Sequence, residues 1–178
     1  MATLGQHGIV VGVADMAVGG VADQRITTFA LGSCIGITLY DPVAKLGGML
    51  HYMLPQPIGD VVPEDINFAM YASTGLPTLA RKIRDLGANK SRLITCVAGG
   101  AEVLNDTMVF AIGRRNRSIL RKIFWKDGTV IAGEDTGGNL ARTLTLELDS
   151  GEVRVKTREG EKRLWTPGRT AQPQGAGK

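Results

Sequence analysis

Hydrophobic positions in the first hundred residues fall in short runs cut by glycine, a pattern that predicts strands rather than long helices. Ile9-Val10-Val11-Gly12-Val13 is an apolar, β-branched run. Thr27 to Leu31 and Ile35 to Tyr40 read as strands on either side of Gly32-Ser33-Cys34-Ile35-Gly36, and residues 47–54 read as another. Leu93 to Ala98 and Met108 to Ile112 are apolar runs of the length a buried strand needs. Arg142 to Leu148 and Glu152 to Lys156 alternate polar and apolar, and Asp149-Ser150-Gly151 between them predicts a hairpin. Helical spacing occurs twice. From Ser73 the apolar residues recur at Leu76, Leu79, Ala80, Ile83 and Leu86, with Pro77 fit for a first turn and Gly87 for a stop. A second helix is expected from Asn116, as N-cap, to Asp127-Gly128, burying Ile119, Leu120, Ile123 and Phe124. Interspersed strands and helices of these lengths predict an α/β fold built in layers.

Length changes this picture little: 178 residues make one domain, expected over 1–158. From Glu159 to Lys178 the chain is Gly, Pro, Gln and charge, and is expected to be a disordered tail with Leu164-Trp165 as a short docking patch. The 24 glycines and 7 prolines suit many tight turns, and their unequal spacing shows no repeat. A net charge of +4 with 5% aromatic residues argues against a nucleic-acid-binding role. There is no run of eighteen apolar residues, so no membrane insertion is expected. The start, Met1 to His7, lacks a basic segment ahead of an apolar one, so a cytoplasmic location with reduced thiols is expected. Two cysteines and two histidines do not make a four-ligand zinc site, and no Gly-Lys-Ser or Gly-Lys-Thr follows a glycine pair to hold phosphate. No metal and no cofactor is expected.

Candidate chemistry gathers in one stretch. Cys34 sits between glycines, where backbone comes close enough to a reacting carbonyl to donate hydrogen bonds, so it is a candidate nucleophile. A small buried hydrophobe beside a bulge is the competing reading. His51 is a candidate base, because strands at 35–40 and 47–54 would form a hairpin returning it toward Cys34. A core histidine is the alternative. Thr28, six residues before Cys34, offers a hydroxyl to orient the imidazole, or is an ordinary strand threonine. Ser33 is a weaker rival nucleophile, Cys96 reads as buried, and His7 has little claim. The glycine-framed cysteine matches a nucleophile elbow, but strand-like Ile37 to Tyr40 follows where a helix is required, so that reading fails. The basic cluster Arg114, Arg115, Arg117, Arg121 and Lys122 reads as a solvated helix face, with an acidic partner as the alternative.

Thr28-Phe29-Ala30-Leu31-Gly32-Ser33-Cys34-Ile35-Gly36, then Tyr40-Asp41-Pro42 and Gly47-Gly48-Met49-Leu50-His51-Tyr52-Met53-Leu54-Pro55, resembles the CheD family of chemoreceptor glutamine deamidases. The likeness continues through Gly99-Gly100-Ala101, Ile112-Gly113, Arg115-Asn116, Gly137-Gly138 and Arg142, covering roughly 8–156. Phe29 and Ala30 depart from the family's more usual leucine-glycine pair. The resemblance implies a layered α/β sandwich of mixed, mostly antiparallel sheets with two main helices. It also implies a cysteine hydrolase that converts glutamine side chains on cytoplasmic receptor helices to glutamate. Cys34 would be the nucleophile, His51 the base and Thr28 its orienting partner, with backbone amides of Ser33 and Ile35 holding the oxyanion. Receptor helices are the expected partner, and a CheC-type phosphatase is a second one that some family members bind. The alternative function is a non-catalytic module docking on receptors or on that phosphatase.

Overall fold

The computed structural model describes residues 3–5, 8–59, 66–102 and 107–168. Among the described residues eleven strands form two sheets, and two α-helices cover one of them. The six-stranded sheet has the order β1 (Thr3–Gly5), β2 (Gly8–Val11), β4 (Arg25–Leu31), β9 (Arg142–Glu147), β10 (Val153–Thr157), β11 (Gly160–Trp165). The five-stranded sheet has the order β3 (Asp15–Gly20), β6 (Leu46–Tyr52), β5 (Ile35–Asp41), β7 (Ile94–Gly99), β8 (Ile131–Thr136). Pairing is antiparallel except β2 with β4 and β7 with β8. The expected α/β sandwich with mixed, mostly antiparallel sheets and two main helices is the architecture observed.

The layering follows from which strands are buried on both faces. All seven residues of β5 are buried, and six of seven in β6. Ile35, Ile37 and Leu39 of β5 and Leu50 and Tyr52 of β6 pack with Leu76, Leu79 and Ile83 of α1 (Ala72–Asp85) and Leu120 and Phe124 of α2 (Thr107–Asp127). The opposite parity belongs to the space between the sheets, where Tyr40, Met49, Cys96 and Ala98 meet Ile26, Leu31, Leu144, Leu146 and Val153. Close approach depends on missing side chains. A Cβ on Gly36 would stand 2.8 Å from Leu31 and 2.9 Å from Leu144, and one on Gly48 would stand 2.9 Å from Leu79.

Several elements differ from the expectation. Residues 108–112 belong to α2 rather than to a strand, and Asn116 lies buried in mid-helix rather than at an N-cap. A short apolar run has no period of its own, so it fits a buried helix as well as a strand. The expected tail from Glu159 instead opens with β11, which pairs along β10 and brings Leu164 and Trp165 against the core between the sheets. Its outward charges are used: Arg163 meets Glu152 at 3.3 Å and Lys162 meets Asp135 at 3.2 Å. Leu164-Trp165 is therefore core material and not a docking patch. Pro77 falls in the second turn of α1, not the first. β3 and β8 were not anticipated, because both carry glycine and acidic residues in place of an alternating pattern. His7 lies outside the described residues, as does the chain beyond Gly168.

Candidate active site

His51 is the penultimate residue of β6 and shares the parity of Met49, so its ring enters the space between the sheets rather than the helix layer. The opposing strand there is β4, whose inward residues include Ile26 and Thr28. Both Thr28 and His51 are fully buried. Thr28 Oγ1 lies 2.7 Å from His51 Nδ1 and 2.8 Å from the Val11 carbonyl. A hydroxyl has a single proton, and the Val11 carbonyl takes it. Thr28 must therefore accept from Nδ1–H. This sets the tautomer: Nδ1 carries the proton and Nε2 carries the lone pair. His51 Nε2 is buried and has no hydrogen-bond partner. Burial lowers the His51 pKa from 6.5 to about 4, with the charge of Asp15, opposite it on β3, opposing the shift. At neutral pH the ring is uncharged.

Cys34 occupies the turn between β4 and β5, partly buried against the inter-sheet core. Strand register places Gly36 opposite His51, so Cys34 stands two residues along from the imidazole's partner, across a position with no side chain. Burial pushes the Cys34 thiol pKa up, and its own backbone N–H opposes that. Burial thus favours the neutral form of both the Cys34 thiol and the His51 imidazole. Cys96 is fully buried on β7, its thiol pushed up to about 12 by burial, which agrees with its reading as inert.

The turn itself is held from one side. The Gly32 carbonyl accepts from Ala101 N at 2.8 Å and the Cys34 carbonyl from Gly100 N at 2.7 Å. Gly99 adopts φ +110°, and a Cβ there would stand 2.3 Å from the Cys34 carbonyl oxygen, so only glycine fits. On the β4 side, Ala30 takes φ +57° beside a register shift between Thr28 and Leu31, which swings the chain from one sheet toward the other.

Two parts of this frame, Asn116 and Arg142, read from sequence as an N-cap and as positions in the family likeness, not as parts of the site. Asn116 donates from Nδ2 to the Ser33 carbonyl at 3.0 Å and the Met53 carbonyl at 2.8 Å. Buried Arg142 donates to the Gly137 carbonyl at 2.8 Å and the Leu140 carbonyl at 2.8 Å, and Gly137 N in turn reaches the Gly99 carbonyl. The basic cluster is divided: Arg117 binds Glu102 at 2.9 Å and the Gly100 carbonyl, Arg121 binds Glu134 at 3.0 Å, and Arg115 and Lys122 are exposed. A groove of about 1010 Å³ between α1 and α2, lined by Leu39, Thr95, Arg81 and Phe124, touches none of Thr28, Cys34 or His51. Among the described residues no cluster of His, Cys, Asp and Glu has the form of a metal site, and no helix is long and apolar enough to cross a membrane.

A two-sheet α/β domain with a thiol in a strand-to-strand turn and a tautomer-defined imidazole nearby has the makings of a cysteine-dependent hydrolase. Comparison narrows that class. The family model for CheD chemotactic sensory transduction matches residues 53–157. The chain is 47% identical over 156 residues to the probable chemoreceptor glutamine deamidase CheD of Solibacter usitatus, covering 88% of this chain and 92% of the relative. It is 45% identical over 152 residues to probable chemoreceptor glutamine deamidase CheD 1 of Syntrophus aciditrophicus, covering 85% and 95%. The relative from Pyrococcus horikoshii, also named a probable chemoreceptor glutamine deamidase CheD, is 40% identical over 154 residues, covering 85% and 93%. The chain belongs to the CheD family.

Proposed function

We propose that this chain is a protein-glutamine deamidase that converts glutamine side chains on the cytoplasmic helices of chemoreceptors to glutamate. The observation that carries this reading is the Thr28–His51 hydrogen bond, which leaves Nε2 unprotonated and unpartnered in a buried position. Relatives named for this activity supply the substrate class. His51 Nε2 takes the proton of Cys34 as sulfur attacks the glutamine Cδ, forming a tetrahedral oxyanion. The backbone amide of Ser33 stabilises that charge; the Ile35 amide, first expected beside it, faces Tyr52 in the β5–β6 ladder. Imidazolium returns its proton to the amide nitrogen, the C–N bond breaks, and ammonia leaves a thioester on Cys34. Water then gives a proton to His51 and attacks the thioester, and the released thiolate regains its proton from the imidazolium. Amide plus water becomes carboxylate and ammonium, and the balance requires no further reactant.

Intact-mass analysis of a receptor cytoplasmic fragment, incubated with the protein and with Cys34→Ala, tests the reading. Each conversion adds about one mass unit and should occur with the unmodified protein alone. Binding of the fragment without conversion by either form would reject the deamidase and favour a docking module, whether its partner is the receptor or a CheC-type phosphatase.

A further inference from the structure

The peptide groups of the nucleophile turn show a regular arrangement. Three successive carbonyls, those of Gly32, Ser33 and Cys34, each accept a hydrogen bond, from Ala101 N, Asn116 Nδ2 and Gly100 N respectively. The donors belong to one wall, because α2 runs directly against residues 100 and 101. A Cβ on Gly113 would stand 2.5 Å from the Ala101 carbonyl oxygen and 3.0 Å from that of Gly100. In a trans peptide the N–H points opposite to the carbonyl of the same plane. Pinning these carbonyls therefore aims the amides of Ser33, Cys34 and Ile35 away from the wall. The Cys34 amide does lie on the side of its own sulfur.

Two of the three donors are backbone groups, but the middle one is a side chain on a different element. Asn116 is fully buried in α2, and its amide also holds the carbonyl of Met53, two residues past His51. The Tyr52 hydroxyl closes the loop by donating to the Asn116 carbonyl at 3.0 Å. Both protons of Nδ2 are used, whereas Oδ1 is buried without a partner. The residue spends its amide on joining the nucleophile turn to the end of the histidine strand.

We propose that Asn116 is the positioning residue of this site, turning the Ser33–Cys34 peptide so that the Cys34 N–H joins that of Ser33 around the developing oxyanion. The catalytic part of the proposal rests on the deamidase reading. The clamp itself does not.

Two readouts separate them, applied to the full chain, to Asn116→Ala and to the near-isosteric Asn116→Asp, which keeps the volume should the alanine variant fold poorly. Hydrogen exchange at the Cys34 and Ile35 amides should quicken in both variants relative to strand amides of β5. Turnover of a receptor fragment should show kcat lowered about a hundredfold with KM within about twofold, the pattern of a misplaced reacting group. Unchanged exchange at both amides overturns the clamp. Faster exchange with unchanged kcat, or a loss confined to KM, overturns the catalytic role. Should the unmodified protein convert no glutamine, the deamidase reading and the catalytic role fall together, and exchange still decides the clamp.

Discussion

Thr28 has one proton to give, and the Val11 carbonyl receives it; that small fact orients the imidazole. Thr28→Val keeps the shape and removes the acceptor for Nδ1–H, so it should lower kcat/KM for glutamine conversion roughly a hundredfold. Thr28→Ser should restore most of the loss. Equal activity of the valine and serine variants would show that the hydroxyl does not orient the ring. Because His51 titrates at about 4, the acid limb of kcat/KM against pH should fall near pH 4 and not near 6.5. Ala30 poses a different question. It holds a left-handed backbone, φ +57°, which a Cβ disfavours. Ala30→Gly should therefore stabilise the protein by about 0.5–1 kcal/mol in urea unfolding, the strain relieved exceeding glycine's added chain entropy.

At the scale of elements, β11 shows how a charged segment is recruited into a sheet. Its outward residues are charged and its end is apolar, so the segment resembles a tail until β10 offers an open edge. The Gly133 position on β8 then admits the strand closely, since a Cβ there would stand 2.5 Å from the Leu164 carbonyl oxygen. Leu164→Ala and Trp165→Ala should each cost about 1–2 kcal/mol in denaturant unfolding. No change in either variant would return the segment to the tail it was expected to be. α2 carries a related lesson: its first turns have the composition of a strand, but the helix passes residues 100–101 at position 113, where only glycine allows such close contact.

For the whole molecule, His51 and Asp41 are two buried groups whose titration bears on the response to acid. The His51 pKa is depressed in the folded state, so between about 6.5 and 4 the unfolded chain binds more protons and stability falls as pH falls. The loss over that window is on the order of 3 kcal/mol. Asp41 is buried and accepts from Arg92 at 2.6 Å and from Asn89 N at 2.8 Å, which holds its carboxyl well below the usual range. Its contribution is complete above the unfolded carboxylate value and is lost only below it. Unfolding midpoints in urea from pH 7 to 4 should thus decline, and His51→Gln should flatten the decline. An equal slope in both proteins would locate the acid sensitivity elsewhere.

The sequence by itself determined the strand-rich layered class, the β9–β10 hairpin, the amphipathic α1 and the Thr28, Cys34, His51 set as candidates, because periodicity and turn chemistry are local. It left open whether His51 was a core histidine, since burial and catalysis ask for the same residue on the same apolar strand. Only the tertiary structure decided that β4 faces β6, that Thr28 meets Nδ1, and that Nε2 remains free. It also decided the place of Asn116, which local pattern reads as a cap, and of β11, which local pattern reads as a tail. In each case the partner lies in another element, tens of residues away for Thr28 and Asn116, and no local pattern encodes such a meeting.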